Sequence, residues 1–303
     1  MAPSPSVYET VTSNIIAELD RGVVPWVRPW SASPLQLPHN ASSGRHYHGV
    51  NVILLWHAAA ARGYLSPAWL TFKQVKYLGG CVKKGEKATS IVYAATDHPK
   101  EDTASEDESE KKRFFLRFYS VFNVEQTEGL PERCFPVSES KSPGERLFRA
   151  EAFVLRLGAA VRHGDDHAYY TLKDDLIVLP KMEDFASIGH YFATSLHEHV
   201  HWSGHPKRLD RNLLGRFGTR AYAAEELIAE LGAAFLCAEL QIPGELRHAS
   251  YIASWLELMQ NDRAAIFTAA GAASKAAEYL CSLGLRDHVT QNEMVEVAPP
   301  VDS

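Results

Sequence analysis

The stretch His197-Glu198-His199-Val200-His201 determines how this chain is read. It lies within residues 191–202, YFATSLHEHVHW, whose apolar residues recur at helical spacing. On a helix, His197 and His201 are one turn apart and stack on one face. Two neutral imidazoles so placed can hold one metal ion at about 2 Å from each nitrogen. Glu198 follows the first of them and projects toward the position left open on the metal, where it can take a proton from water. A surface helix with clustered histidines is the competing reading.

A metal site of this kind needs a third ligand. Metzincins take it from a histidine six residues after the second one, behind a glycine. Here Gly204 is present, but His205 comes only four residues after His201, which leaves it a fallback. The other solution is a glutamate on a later helix. The run Ala224-Glu225-Glu226-Leu227-Ile228-Ala229-Glu230-Leu231 supplies one, with Glu226 standing 25 residues beyond His201. Glu226 and Glu230 are one turn apart and share a face with Ala233. Acids on so apolar a helix are costly to bury unless something cationic compensates. Glu226 is therefore expected to be the third ligand. Glu230 would orient a ligand histidine through its free N–H, and Glu225 would be an exposed helix-face charge. His199, on the opposite face, is expected to be packed or exposed rather than a ligand. Asp174-Asp175, Ile177 and Pro180 suggest an edge strand beside the cleft that could align an extended peptide, with a structural pairing preferred for Asp175. Zinc is the expected metal, and manganese, cobalt or nickel suit the same donors.

Composition frames this site. The chain has 303 residues, 46% hydrophobic and 22% charged, enough for two ordinary domains with a sizeable core. No apolar run is long enough to span a bilayer, and the first residues lack a signal-peptide pattern. Cys81, Cys134, Cys237 and Cys281 form no CxxC pair, so free thiols and a cytoplasmic protein are expected. The net charge of −6 is unevenly spread. Residues 1–137 carry 15 Lys/Arg against 14 Asp/Glu, and six of those acids fall in residues 98–112, HPKEDTASEDESEKK. That run reads as an acidic, mobile loop attached to an otherwise basic module.

The chain divides by pattern into an α+β protein. Helices are expected over 7–21, 50–62 and 69–79, with hairpin strands over 90–95 and 113–124. Residues 1–136 then form an α/β module and residues 137–147 a linker. A mainly helical domain with a small sheet covers 148–290. It has helices at 145–160, 221–241, 246–261 and 263–283 besides the histidine helix, and strand-like residues over 168–180. A frayed tail fills 291–303. In the first module, aromatic residues alternate with cations: Trp26, Trp30 and Tyr47 with Arg28, Arg45, Lys73, Lys83, Lys84 and Lys87. Rings that stack unpaired bases and cations that follow phosphates suit single-stranded nucleic acid. Trp56 and Phe72 are read as core, and the turn at Lys83–Lys87 could equally be a solvated one.

Several segments together resemble the ArdC-type antirestriction proteins of conjugative plasmids, which are related to the N-terminal part of TraC-type primases. They are GVVPWVRPW, GRHYHGVNVILL, AWLTFKQVKYLGGCVKKGEKAT, FYSVFNVEQTEGLP, DLIVLPKMEDF, SLHEHVHWSGHPKRLDR, YAAEELIAELGAAFL and SYIASWLELM. They cover nearly the whole chain, although the acidic run 98–112 departs from the family. The resemblance implies an N-terminal single-stranded-DNA-binding domain joined to a zincin-like metallopeptidase domain. It also implies a role in protecting DNA that enters a recipient cell from restriction. A second reading makes the chain a metalloprotease that cleaves a host restriction or defence protein, with DNA binding used for localisation. A nuclease ranks last, because two histidines and one glutamate around one metal suit amide hydrolysis better than two-metal phosphoryl transfer.

Overall fold

The computed structural model describes residues 6–26, 35–97, 113–135, 142–213, 218–242 and 251–285. Arg28, Trp30, the acidic run 98–112, residues 137–141 of the linker and the tail 291–303 lie outside the described residues.

The first half opens with α1 (Val7–Asp20), started by a reciprocal Ser6–Glu9 capping box. A two-residue strand β1 (His39–Asn40) and α2 (Val50–Arg62) follow, and Gly63 closes α2 in the left-handed conformation. Where a helix over 69–79 is expected, the chain first makes a strand, β2 (Ala68–Thr71), and only then a short helix, α3 (Phe72–Tyr77). The physical reason is Thr71, whose side chain accepts from the backbone N–H of Gln74 and so delays the helix start. After β3 (Cys81–Val82) come the hairpin strands β4 (Thr89–Asp97) and β5 (Arg113–Asn123), then β6 (Thr127–Glu128). The larger sheet runs β1-β2-β5-β4, with β1 and β2 parallel and the other pairs antiparallel.

The second half begins with α4 (Pro143–Leu157). Three short strands follow, β7 (Ala160–His163), β8 (Tyr169–Thr171) and β9 (Leu176–Leu179), in the order β7-β9-β8. The strand at 176–179 is therefore central, contrary to the edge position expected for it, because β7 pairs with it in parallel from the far side. Four helices complete the unit: α5 (Ile188–Ser203), α6 (Arg220–Leu240), α7 (Ile252–Asn261) and α8 (Ala265–Gly284). Among the described residues no helix is long and apolar enough to cross a membrane.

The expected linker 137–147 runs into α4, which Ser142 caps and Pro143 begins, and the largest core cluster draws on residues before and after it. Ile15, Ile53 and Trp56 from the first half pack with Leu231, Trp255 and Ile266 from the second. Polar contacts cross the same boundary: Thr12 Oγ1 donates to Arg263 O at 2.7 Å, and Gly49 N donates to Ser274 Oγ at 2.7 Å. A second cluster, built on Phe153, Ile177, Leu196, Val200 and Leu236, joins α4, α5, α6 and the small sheet. There α5 and α6 approach so closely that a Cβ at Gly232 would lie 2.8 Å from Val200 Cγ2.

Candidate metal centre

α5 and α6 bring the expected ligands together. The Nε2 atoms of His197 and His201 are 3.2 Å apart. The Glu226 carboxylate reaches both, with one oxygen 3.5 Å from His197 Nε2 and the other 3.6 Å from His201 Nε2. One donor atom from each of the three residues lies within 4.8 Å of the others.

Each imidazole turns its outer nitrogen to a carboxylate. His197 Nδ1 faces Glu230 Oε2 at 3.7 Å. His201 Nδ1 faces Glu225 Oε1 at 3.2 Å. Glu225 is thus buried at 8% exposure, not an exposed helix-face charge. It is drawn inward by Arg211, whose Nη2 donates to it at 2.8 Å and to Val200 O at 2.6 Å. A carboxylate on Nδ1 favours the Nδ1–H tautomer and leaves the Nε2 lone pair free for a cation.

When both imidazoles are protonated, the same residues hold one another by charge instead. Burial would raise the Glu226 carboxyl, but a hydrogen bond from His197 and the charges of His201 and His197 outweigh it and hold the group down at about 2. Burial disfavours charge on His201, yet the Glu225 hydrogen bond and the neighbouring Glu198, Glu225 and Glu226 carboxylates leave its pKa raised. Glu198, Glu225, Glu226 and Glu230 are all buried. Arg211 neutralises Glu225, and a divalent cation between His197, His201 and Glu226 fits the negative charge that remains.

The site opens into a cleft of about 310 Å³ lined by His197, Glu198, His201, Tyr222, Glu226 and Tyr251. The hydroxyls of Tyr222 and Tyr251 are 3.0 Å apart. β8, not β9, is the strand beside the cleft, through Tyr169 and Tyr170. Asp175 has the structural pairing preferred for it, accepting from the Tyr170 hydroxyl at 2.8 Å and forming an ion pair with Arg208. Arg208 also stacks on Trp202, 3.9 Å from the ring centroid.

His199 and His205, also weighed from the sequence, stand apart from the three-residue cluster. His199 is fully buried, its Nδ1 2.6 Å from Ser195 O, and burial pushes the imidazole down to about 4. His205 Nδ1 accepts from Lys207 N at 3.0 Å, outside the three-residue cluster.

The candidate DNA residues separate by exposure. Trp26 is 1% exposed and packs on Trp255 with ring centroids 5.7 Å apart, so it is a core residue and cannot stack a base. Tyr47 is half-buried against two core clusters. Arg45, Lys73, Lys83, Lys84 and Lys87 are exposed, with Lys83 Nζ donating to Glu125 O at 2.8 Å. Phe72, read as core, is instead 50% exposed, because α3 buries Val75 and turns its first residue outward.

Comparisons with known proteins match both halves. A family described as zincin-like metallopeptidase matches residues 148–272, and the N-terminal domain of anti-restriction factor ArdC matches residues 5–122. The uncharacterized protein y4eC of Sinorhizobium fredii is 41% identical over 282 residues, 90% of this chain and 91% of that protein. DNA primase TraC of Escherichia coli is 35% identical over 316 residues, which cover 96% of this chain but 28% of the primase. Two crystal structures of the antirestriction ArdC protein from plasmid R388 cover 92% of this chain and 98% of theirs. The metal-free form has a TM-score of 0.77 at 39% identity, and the Mn(II)-bound form 0.75 at 37%.

Proposed function

Since the chain belongs to the family of ArdC-type antirestriction proteins, we propose that it binds single-stranded DNA entering a recipient cell during conjugation and shields it from host restriction. The observation that carries this reading is the match to plasmid R388 ArdC, which spans both halves at 39% identity. Its place of action on this reading is the cytoplasm. The test uses the full-length chain and a labelled oligonucleotide. Affinity should fall steeply as salt rises, since phosphate contacts release counterions; no affinity at low salt overturns the reading.

A second reading, proteolysis of a host restriction or defence protein, is favoured by Glu198, which lines the cleft beside both histidines. His197, His201 and Glu226 would hold a divalent metal. Zinc suits this ligand set, and the manganese in the R388 relative supports a site open to either metal. The metal would polarise a substrate carbonyl and lower the pKa of a nearby water. Glu198 would accept a proton from water on its carboxylate and return it to the departing amine. Glu230 and Glu225 would keep the two imidazoles oriented throughout. Conjugative transfer into a restricting host separates the two readings. Glu198→Ala should abolish protection if proteolysis provides it. Unchanged protection with unchanged metal content leaves shielding alone.

A further inference from the structure

The β4–β5 ribbon carries exposed rings that the metal site does not use. All four residues Arg117–Ser120 are exposed. Phe118, Ser120 and Phe122 alternate onto one face of β5, with Ser90 of β4 directly opposite Ser120. Phe72 adjoins this row, its ring centroid 6.4 Å from that of Phe122, and Lys76 Nζ lies 5.9 Å over the Phe72 ring. Phe72 and Phe118 are 50% and 42% exposed, whereas Val92, opposite Phe118, is buried and roots that end of the ribbon.

The surroundings suit a polyanion. Residues 68–93 carry Lys73, Lys76, Lys83, Lys84 and Lys87 against one acid, Glu86, and two further acids, Glu125 and Glu128, follow β5. Glu86 itself accepts from Gln126 Nε2 at 2.7 Å. Along the strand, Phe118 and Phe122 stand about 13 Å apart. The small Ser90–Ser120 pair lies between them, leaving room over the sheet for nucleotides in an extended strand. Rings at that spacing are out of reach of bases already stacked in a duplex.

Resting on the DNA-shielding reading above, we infer that Phe72, Phe118 and Phe122 form the platform on which unpaired bases stack, with Lys73 and Lys76 holding phosphates at its Phe72 end. Each ring removed costs one stacked base, and each lysine removed costs one phosphate contact. The two losses differ in their salt signature.

The test is fluorescence anisotropy of a labelled oligo-dT with the full-length protein. Phe72→Ser and Phe118→Ser should each weaken the Kd about tenfold and leave the salt slope unchanged, whereas Phe118→Trp retains affinity. Lys73→Gln and Lys76→Gln should each lower the slope by about one. A strand of abasic sites should bind the wild type weakly and no longer distinguish it from Phe72→Ser. Phe148→Ser, an exposed ring on α4, should change nothing. Wild-type binding that Phe72→Ser and Phe118→Ser leave intact, or equal affinity for a duplex, overturns the platform while DNA binding stands. No wild-type binding to any strand overturns both.

Discussion

Glu225 Oε1 lies 3.2 Å from Nδ1 of His201, so the acid immediately before the third candidate ligand serves the second one. Adjacent residues on α6 point about 100° apart. Glu225 and Glu226 can therefore approach His201 from different sides, one at each ring nitrogen.

If the site holds a metal, this arrangement gives Arg211 a part in its affinity, although Arg211 touches no candidate ligand atom. Arg211→Met leaves the Glu225 carboxylate buried without its cation, and Glu225→Gln weakens the grip on His201. Either should reduce zinc or manganese affinity about 10- to 100-fold in titration calorimetry. An affinity equal to wild type in a folded variant would show that His201 needs no such support.

Gly232 sets how closely α5 and α6 approach, and those two helices supply the three candidate ligands. Gly232→Ala drives a Cβ against Val200, an overpacking that should cost about 1–3 kcal/mol and weaken metal binding as well. Val200→Ala in the same chain should recover part of both losses. If the double variant behaves as the sum of the singles in thermal melts, the clash is not the cause.

The Arg208 pair gives a pH signature away from the metal. A hydrogen bond from Arg208 outweighs burial and holds the Asp175 carboxyl below its usual value. A depressed folded pKa stabilises the fold above the unfolded value of about 3.9, and the contribution fades as pH falls through the folded value. Asp175 has a φ of +49°, a conformation asparagine tolerates. Asp175→Asn should therefore melt below wild type at neutral pH, and the gap should close as pH falls below about 4. A gap constant with pH would remove the ion pair as its cause.

Residues 98–112 join β4 to β5, the two strands of the ribbon that carries Phe118 and Phe122, and hold six acids against three lysines. Replacing the six acids by their amides should raise affinity for oligo-dT most at low salt, where like-charge repulsion is least screened. Affinity that does not change would mean the run stays clear of the strand.

The clustering of the candidate ligands is legible in the sequence because its evidence is local. His197, His201, Glu226 and Glu230 follow helical spacing, and acids on an apolar helix are costly to bury alone. Glu225 reads as a surface charge because its partner, Arg211, sits in irregular chain between α5 and α6, where no periodicity marks it. The signal was there in weaker form: a third acid on an apolar helix, with an arginine shortly upstream. Trp26 misled for the opposite reason, since its neighbouring prolines suggest an open loop while Trp255, distant in sequence, buries it. The position of β9 was hidden because a parallel partner supplied by β7 leaves no turn signature. Phe72 shows that an aromatic residue at a helix start has no intrinsic side.

The core shared by Ile15, Ile53, Trp56, Leu231 and Trp255 also bears on inheritance. A gene that exchanged one half for that of a distant relative would pair two surfaces never selected against each other. The mismatched helices would have to repack before either half could work. Recombination should therefore move the two halves as a single cassette. The match to TraC primase has that form, taking in 96% of this chain within a protein several times longer.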